Sequence, residues 1–388
     1  MSLRRRPVSR RRADTVLIAN PGADLYGSDR MVLESVSALR SAGRSVWVTL
    51  PADGPLVAEL KARGAEVAIC PTPIVRKALA SPRGLVTLVS ETARSLRPSL
   101  ALLRRVRPDV VYVNTITPPL WIVLARLLRR PCVVHVHEAE ASASRGMLLA
   151  LNAPLLFANR LIVNSQFSLG VLNATLPRLM KKSIVVYNSI AGPPAVTPAR
   201  ETIDGPLRIV YVGRLSPRKG PDVAVEALGI LRSRGVAAQL DLVGAVFPGY
   251  EWFEQQLRAR VAELGLDGCV TFSGFQPDRW PATAAADVVV VPSTVDEPFG
   301  NTAVEAILAA RPLVVSGIAG LVEASDGFAA AIRVPAADPN ALADALIEVA
   351  DRWDVYTAAA AADAPAAVKR YSASAYADAI ARIVDQVA

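Results

Sequence analysis

The sequence predicts an α/β protein made of two doubly wound domains, and three observations carry that expectation. Short apolar and β-branched runs alternate with stretches of helical apolar periodicity along the whole chain, the pattern of βαβ units and parallel sheets. At 388 residues the chain is too long for one average domain. Between residues 191 and 206, AGPPAVTPARETIDGP breaks both periodicities with its prolines and two glycines and reads as an interdomain linker.

The elements follow in order. Strands are expected at 15–19, 45–50, 66–70, 109–114, 132–137, 160–164 and 183–187, with helical intervals between most of them. After the linker a second series comes at 207–212, 239–243, 269–273, 287–291, 312–316 and 330–334. The final stretch, RYSASAYADAIARIVDQVA, reads as one amphipathic helix with no strand behind it. The expected division is a basic tail at 1–13, a first Rossmann-like domain at 14–190, the linker, a second domain at 207–365 and a terminal helix at 366–388.

Chemistry concentrates where strands of the second domain turn into helices, the edge at which open α/β sheets bind ligands. In DVVVVPSTVDEPFGNTAVEAIL the strand Val288 to Val291 ends in a loop carrying Glu297, and a helix begins near Asn301 with Glu305 in its first turn. Pro298 bars Glu297 from helical geometry. Thr302-Ala-Val-Glu305 fits a capping box, so Glu305 has a structural reading beside the functional one. In LRIVYVGRLSPRKGPDV a strand passes through Gly213 into a loop with Arg214 and Lys219, and a helix starts at Pro221. Two cations beside a helix N-terminus suit phosphate groups. A third junction, VVSGIAGLVEAS, carries Gly317 and Gly320, whose backbone amides could approach a ligand. Neither GxxxxGK[ST] nor GxGxxG is present there, so neither a Walker-type nucleotidase nor a dinucleotide fingerprint is supported.

In the first domain VVHVHE places His135 and His137 two apart on a strand, hence on one face, with His137 at its C-terminal end. His135 sits deeper in the apolar run and reads as structural. The first strand-to-helix junction, NPGADLYGSDRM, is long, holds Gly22 and Gly27, and suggests a helix capped by Ser28 or Asp29.

Composition narrows the partners. A chain that is 52% apolar and 20% charged can fill globular cores. No apolar run approaches the roughly 18 residues needed to span a bilayer, and Thr15 to Ala19 is too short for a signal-peptide core, so a cytoplasmic protein is expected. Cys70, Cys132 and Cys269 are scattered in apolar runs without metal or disulfide spacing. The net charge of +8 is uneven: residues 1–12 hold six arginines and no acid. Residues 76–107 hold Arg76, Lys77, Arg83, Arg94, Arg97, Arg104, Arg105 and Arg107 against Glu91 alone. No nucleic-acid motif accompanies this basicity. The leucine–arginine mixture of LVTLVSETARSLRPSLALLRRVR fits peripheral binding to an anionic membrane surface, here the inner face of the cell membrane.

EPFGNTAVE, GRLSPRKG and FSGF together resemble the retaining glycosyltransferases of the GT-B fold, family 4 (group 1) type, over residues 14–388. VVYNS, GSDR and VVHVHE add to the likeness. The resemblance implies two Rossmann-like domains facing across a cleft, the first on the acceptor side. It implies transfer of a hexose from a UDP- or GDP-sugar to a glycan or a polyprenyl- or phospholipid-linked acceptor of the cell envelope, with no metal and no resident cofactor. Arg214 and Lys219 would hold the diphosphate and stabilise the leaving group. Glu305 would bond the ribose, Glu297 the donor sugar and His137 its hydroxyls. Gly27, Gly213, Phe299, Gly300 and Asn301 would complete the donor pocket, and the last helix would cross back onto the first domain. Two positions depart from the family pattern: Asn188-Ser189 stands for its Asn-Gly, and Ala319 for the first glycine of its Gly-Gly-x-x-Glu. A nucleotide-sugar epimerase of the same fold and a non-catalytic nucleotide-sugar-binding protein are the alternatives. The scarcity of histidine argues against the first, and the presence of Arg214, Lys219 and Glu297 against the second.

Overall fold

The computed structural model describes residues 14–25, 27–75, 82–139 and 144–388. The arginine-rich tail, and Arg76 and Lys77 of the basic segment, lie outside the described residues. The chain forms two compact units, one running to Ser189 and taking in Ala373–Ala388, the other Ile190–Ser372.

The first unit alternates strictly. Its elements are β1 (Thr15–Ala19), α1 (Gly27–Ser41), β2 (Ser45–Leu50), α2 (Pro55–Ala62), β3 (Glu66–Ile69), α3 (Pro82–Val106), β4 (Val110–Asn114), α4 (Pro119–Leu127), β5 (Cys132–Val136), α5 (Arg145–Asn152), β6 (Arg160–Val163), α6 (Gln166–Thr175) and β7 (Ser183–Val185). Among the described residues the strands form one parallel sheet in the order β3-β2-β1-β4-β5-β6-β7. Side chains alternate across it, so each strand serves two cores. Val16 and Ile18 pack with Met31, Val32 and Val36 of α1. Leu17 and Ala19 face the opposite layer, which holds Trp121 of α4 and Leu102 of α3. Because β1 pairs with both β2 and β4, strand order reverses at its C-terminal end. Such a reversal opens a crevice for ligands. The helix α1 starts at Gly27, so Ser28 and Asp29 lie inside its first turn instead of capping it.

The second unit repeats the plan with β8 (Leu207–Val212), α7 (Pro221–Ser233), β9 (Ala238–Val243), α8 (Glu251–Glu263), β10 (Val270–Gly274), α9 (Trp280–Ala285), β11 (Val288–Val291), α10 (Asn301–Leu308), β12 (Leu313–Ser316), α11 (Ala319–Ala324), β13 (Ala331–Val334), α12 (Pro339–Asp351) and α13 (Trp353–Arg370). Its parallel sheet has the order β10-β9-β8-β11-β12-β13, with the reversal between β8 and β11. The proline-rich segment 191–206 is fastened to this unit. Arg200 pairs with the buried Asp287 at 2.5 Å, and Trp353 Nε1 donates to Arg200 O at 3.0 Å. Arg311, 1% exposed, spreads its planar fork over the carbonyls of Ala284, Ala286 and Thr197.

The chain ends in α14 (Ala373–Val387). The terminal helix begins at Ala373, not at 366: residues 366–370 are the end of α13, and α14 belongs to the first unit. Tyr376, Ile380, Ile383 and Val384 of α14 complete the α1 core. Two polar ties set its register, Tyr376 Oη to Ser35 Oγ at 2.7 Å and Asp385 to Arg44 at 2.6 Å.

Candidate active site

The crevice of the second sheet is built from the loops that follow β8 and β11. After β8 the chain makes a 3-10 turn over Pro217–Lys219 and enters α7 through Gly220. Gly220 has φ 67°, and a Cβ there would lie 2.0 Å from Pro292 O, so only glycine lets the two loops meet. They are stitched together by Thr294 N to Arg218 O at 3.0 Å, Thr294 Oγ1 to Pro217 O at 2.9 Å and Arg218 Nη2 to Asp296 O at 2.8 Å. That stitching sets Lys219 against Glu297. Lys219 Nζ lies 2.7 Å from Glu297 Oε1 and 2.8 Å from Oε2, and Ser293 Oγ donates to Oε1 at 2.9 Å. The Glu297 side chain is 8% exposed, whereas the lysine side chain is 33% exposed and has a third N–H beyond the two lines to Glu297. A buried anion is therefore held by a cation that still reaches solvent.

Arg214 is placed by the same turn. Its Cζ lies 3.3 Å from the centre of the Phe247 ring, a stacking that orients the guanidinium, and its carbonyl accepts from Tyr211 Oη at 2.7 Å. Gly213, at the exit of β8, donates its amide to Val243 O at 2.9 Å and so belongs to the sheet edge.

Three sequence expectations are corrected here. The N-cap of α10 is Gly300, with φ 108° and no side-chain cap, so Glu305 lies in the second turn and Thr302-Ala-Val-Glu305 is not a capping box. The left-handed φ of Gly300 is one that side chains rarely adopt, so a glycine takes the N-cap two residues before the threonine expected there. Glu305 instead pairs with Arg279 at 2.7 Å, both side chains largely buried. The amides of Gly317 and Gly320 are already committed, to Val334 O at 2.7 Å and Glu297 O at 2.9 Å, so they brace the loops and are not ligand donors. The Phe299 side chain is buried edge-on against Tyr371 at 5.7 Å, which leaves its backbone, with those of Gly300 and Asn301, at the start of α10. Ala319 has φ 45°, a left-handed conformation that a Cβ disfavours.

The crevice of the first sheet is chemically different. β5 ends at Val136, and His137 follows it with its ring 3.9 Å from that of His135. His137 Nε2 lies 2.9 Å from Asn114 Oδ1, Asn114 Nδ2 lies 2.7 Å from Asn20 Oδ1, and Asn20 Nδ2 lies 2.9 Å from Asp29 Oδ1. His135 is fully buried and bonds Tyr112 Oη through Nδ1 at 2.7 Å, as expected of a structural histidine. Burial lowers the pKa of His137 to about 3 and pushes that of Glu138 up to about 7. Glu138 Oε2 accepts from the amides of Ile116 and His137 at 3.3 and 3.1 Å. Thr115, next to Asn114, has φ 74°, a strained value for a β-branched residue. Gly27 opens α1, one residue before Ser28, whose carbonyl accepts from Asn114.

The sequence reading missed Ser293, Arg279 and Phe247 in the second unit and Asn20, Asp29 and Asn114 in the first. Each joins the site through a partner distant in the chain, apart from Ser293, four residues before Glu297. Asn20 and Asn114 carried a usable signal, since each stands at the C-terminal end of an apolar strand. Among the described residues no group of three or more His, Cys, Asp or Glu could hold a metal ion.

Comparison with known proteins agrees with this architecture. Residues 206–352 match the family described as glycosyl transferases group 1, and residues 26–169 match the glycosyl transferase 4-like domain. The chain belongs to this group of glycosyl transferases, and its two parallel-sheet units are those of the GT-B fold. Over 153 residues it is 36% identical to a D-inositol 3-phosphate glycosyltransferase of Saccharomonospora viridis, covering 38% of this chain and 35% of that one. Over 190 residues it is 35% identical to a phosphatidyl-myo-inositol mannosyltransferase of Mycobacterium leprae, covering 46% of each. The chain thus spans about a third to a half of the length of these relatives. The solved structure of Anabaena Alr3699/HepE in complex with UDP-glucose superposes with a TM-score of 0.80 at 21% identity, over 96% of this chain and 99% of that one.

Proposed function

We propose that the chain is a retaining glycosyltransferase that moves a hexose from a UDP- or GDP-sugar to a glycan or lipid-linked acceptor of the cell envelope. The observation that carries this reading is the buried Glu297 carboxylate held by Lys219 and Ser293 at the strand-order reversal of the second sheet. An ammonium with three donors can hold a carboxylate and a phosphate together, so Lys219 links the sugar-facing acid to the diphosphate. Arg214, oriented on Phe247, supplies the second cation. Charge developing on the leaving diphosphate is answered by these two side chains, with no metal ion in the mechanism. Glu297 accepts hydrogen bonds from hydroxyls of the donor sugar, and Glu305 exchanges part of its pairing with Arg279 for the ribose. Retention follows from front-face departure and attack, since no acid is assigned as a covalent nucleophile. His137, in the crevice of the first unit, is a contact for a hydroxyl of a sugar substrate. The similarity to a D-inositol 3-phosphate glycosyltransferase and a phosphatidyl-myo-inositol mannosyltransferase favours a polyol or lipid-linked acceptor.

The acceptor reading extends to the membrane. No described helix is long and apolar enough to cross one. Along α3, however, Val86, Val89 and Leu96 are exposed among the exposed Arg94, Arg97 and Arg104, which suits peripheral attachment to anionic lipid at the cytoplasmic face.

Calorimetry of the full chain against a panel of UDP-, GDP- and ADP-sugars tests the donor. NMR of the product's anomeric centre tests retention. Absence of binding to every nucleotide sugar would defeat the reading, and an epimerised donor without transfer would replace it. Sedimentation with phosphatidylglycerol vesicles, with Arg94, Arg97 and Arg104 changed to Gln, tests the membrane claim; unchanged sedimentation removes it.

A further inference from the structure

The hydrogen-bond chain beside His137 has a direction that its own chemistry dictates. Its margins are two backbone carbonyls and a carboxylate, which accept. Asn20 Nδ2 lies 2.9 Å from Gly22 O and 2.9 Å from Asp29 Oδ1, so both amide hydrogens of Asn20 are used there. Its Oδ1 is left to accept from Asn114 Nδ2 at 2.7 Å, and the other hydrogen of that amide goes to Ser28 O at 3.1 Å. Turning Asn114 over would set oxygen against Ser28 O, and turning Asn20 over would set oxygen against Gly22 O and the Asp29 carboxylate. Asn114 Oδ1 is therefore the acceptor, and His137 Nε2, 2.9 Å away, is the donor. A neutral imidazole with its proton on Nε2 keeps a lone pair on Nδ1.

We propose that Asn114, oriented by Asn20 and Asp29, is a positioning residue that locks His137 in its Nε2–H form, so that Nδ1 accepts a hydrogen bond from a hydroxyl of a sugar substrate. The substrate part rests on the glycosyltransferase reading; the locked tautomer does not. The arrangement makes His137 an acceptor and removes it as a general acid. The groups packed around it are consistent with a neutral ring. His135 stacks on it and is itself held neutral by burial, and Tyr112 and Tyr376 face the His135 ring from β4 and α14. Glu138 follows it in the chain, and Asp29 reaches it only through the two asparagines. The strain at Thr115, adjoining Asn114, is a second sign that this strand end is held in place by its surroundings.

The chain has two histidines, so selective 15N-histidine labelling of the full chain reads the tautomer directly, with His137→Gln as the assignment variant. The expected result is a single Nε2–H form of His137, unchanged between about pH 5.5 and about pH 8. Asn114→Asp keeps an acceptor but adds charge, and is expected to raise the His137 pKa by about one to three units. Asn114→Leu is expected to release a mixture of tautomers and to raise KM for the sugar substrate more than it lowers kcat. An Nδ1–H or averaged signal in the wild-type chain, or a midpoint near the free value of about 6.5, overturns the lock. A released tautomer in Asn114→Leu with unaltered transfer overturns the link to substrate. Failure to find any nucleotide-sugar substrate would strike the proposed function and leave the tautomer measurement standing.

Discussion

The two sheets share one topology around their strand-order reversals and fill the two crevices with opposite chemistry. At the second, a carboxylate is buried and its cation is left one-third exposed, so the site is charged and ready to exchange partners. At the first, neutral amides pass a hydrogen bond inward from a histidine to an aspartate. The comparison teaches that the fold supplies a place, while the side chains at the strand ends supply the character of that place. A charged crevice suits a diphosphate, and a neutral one suits hydroxyl groups.

The largest expected effect concerns what makes the first crevice possible at all. Ending the chain at Ser372 removes Tyr376, Ile380, Ile383 and Val384 from the α1 core. At about 1.5–3 kcal/mol for each buried side chain, this approaches the whole stability of a domain. Limited proteolysis is expected to degrade the first unit while the second survives; equal resistance of both would break the assignment of α14.

Next come the charged residues. Lys219→Ala and Glu297→Gln are each expected to lower sugar transfer by about two to three orders of magnitude. Their stabilities should diverge. Lys219→Ala leaves a buried carboxylate with Ser293 alone and is expected to cost about 1–3 kcal/mol, more than Glu297→Gln. Urea denaturation of the two variants checks this, and an inverted order would contradict the burial asymmetry.

A pH experiment probes the neutral crevice. Glu138 has its folded pKa raised from 4.5 to about 7, so the folded state holds the proton more tightly. Its contribution to stability is full below about 4.5 and lost as pH rises through about 7. Glu138→Gln should therefore gain stability relative to the wild type between about pH 5 and about pH 8, with the His137 contribution cancelling in the comparison. A pH-independent difference would show that Glu138 is not held protonated.

The smallest effect compares the two strained residues. Ala319→Gly relieves a left-handed backbone and should gain about 0.5–1 kcal/mol, the strain relief exceeding the entropy cost of glycine. The same change at Thr115 should lose stability, because its hydroxyl bonds Thr117 Oγ1 at 2.7 Å. Thermal melts of both variants decide the point.

The strands were legible because most are short runs of apolar and β-branched residues bounded by turn signals, and most end within one residue of where the sequence places them. Glu297, Lys219, Arg214 and His137 were legible because each sits just after such a run. Their partners were not. Within the hydrogen-bond chain, Asn20, Asn114 and Asp29 are 9 to 94 positions from the side chains they bond, and Arg279 pairs with Glu305 from a different loop. Local pattern carries no term for such meetings. The false capping box at Thr302 arises because α10 begins at Asn301 behind a left-handed Gly300, a backbone conformation that the side-chain pattern does not reveal.

Sequence alone determined the alternation of elements, the two sheets and the loops on which chemistry would fall, because periodicity and turn residues act over a few positions. Tertiary structure decided which acid is paired, which amides are already committed, which way the asparagines face and where the final helix docks. Those outcomes depend on contacts between strand ends that only the folded sheets bring together.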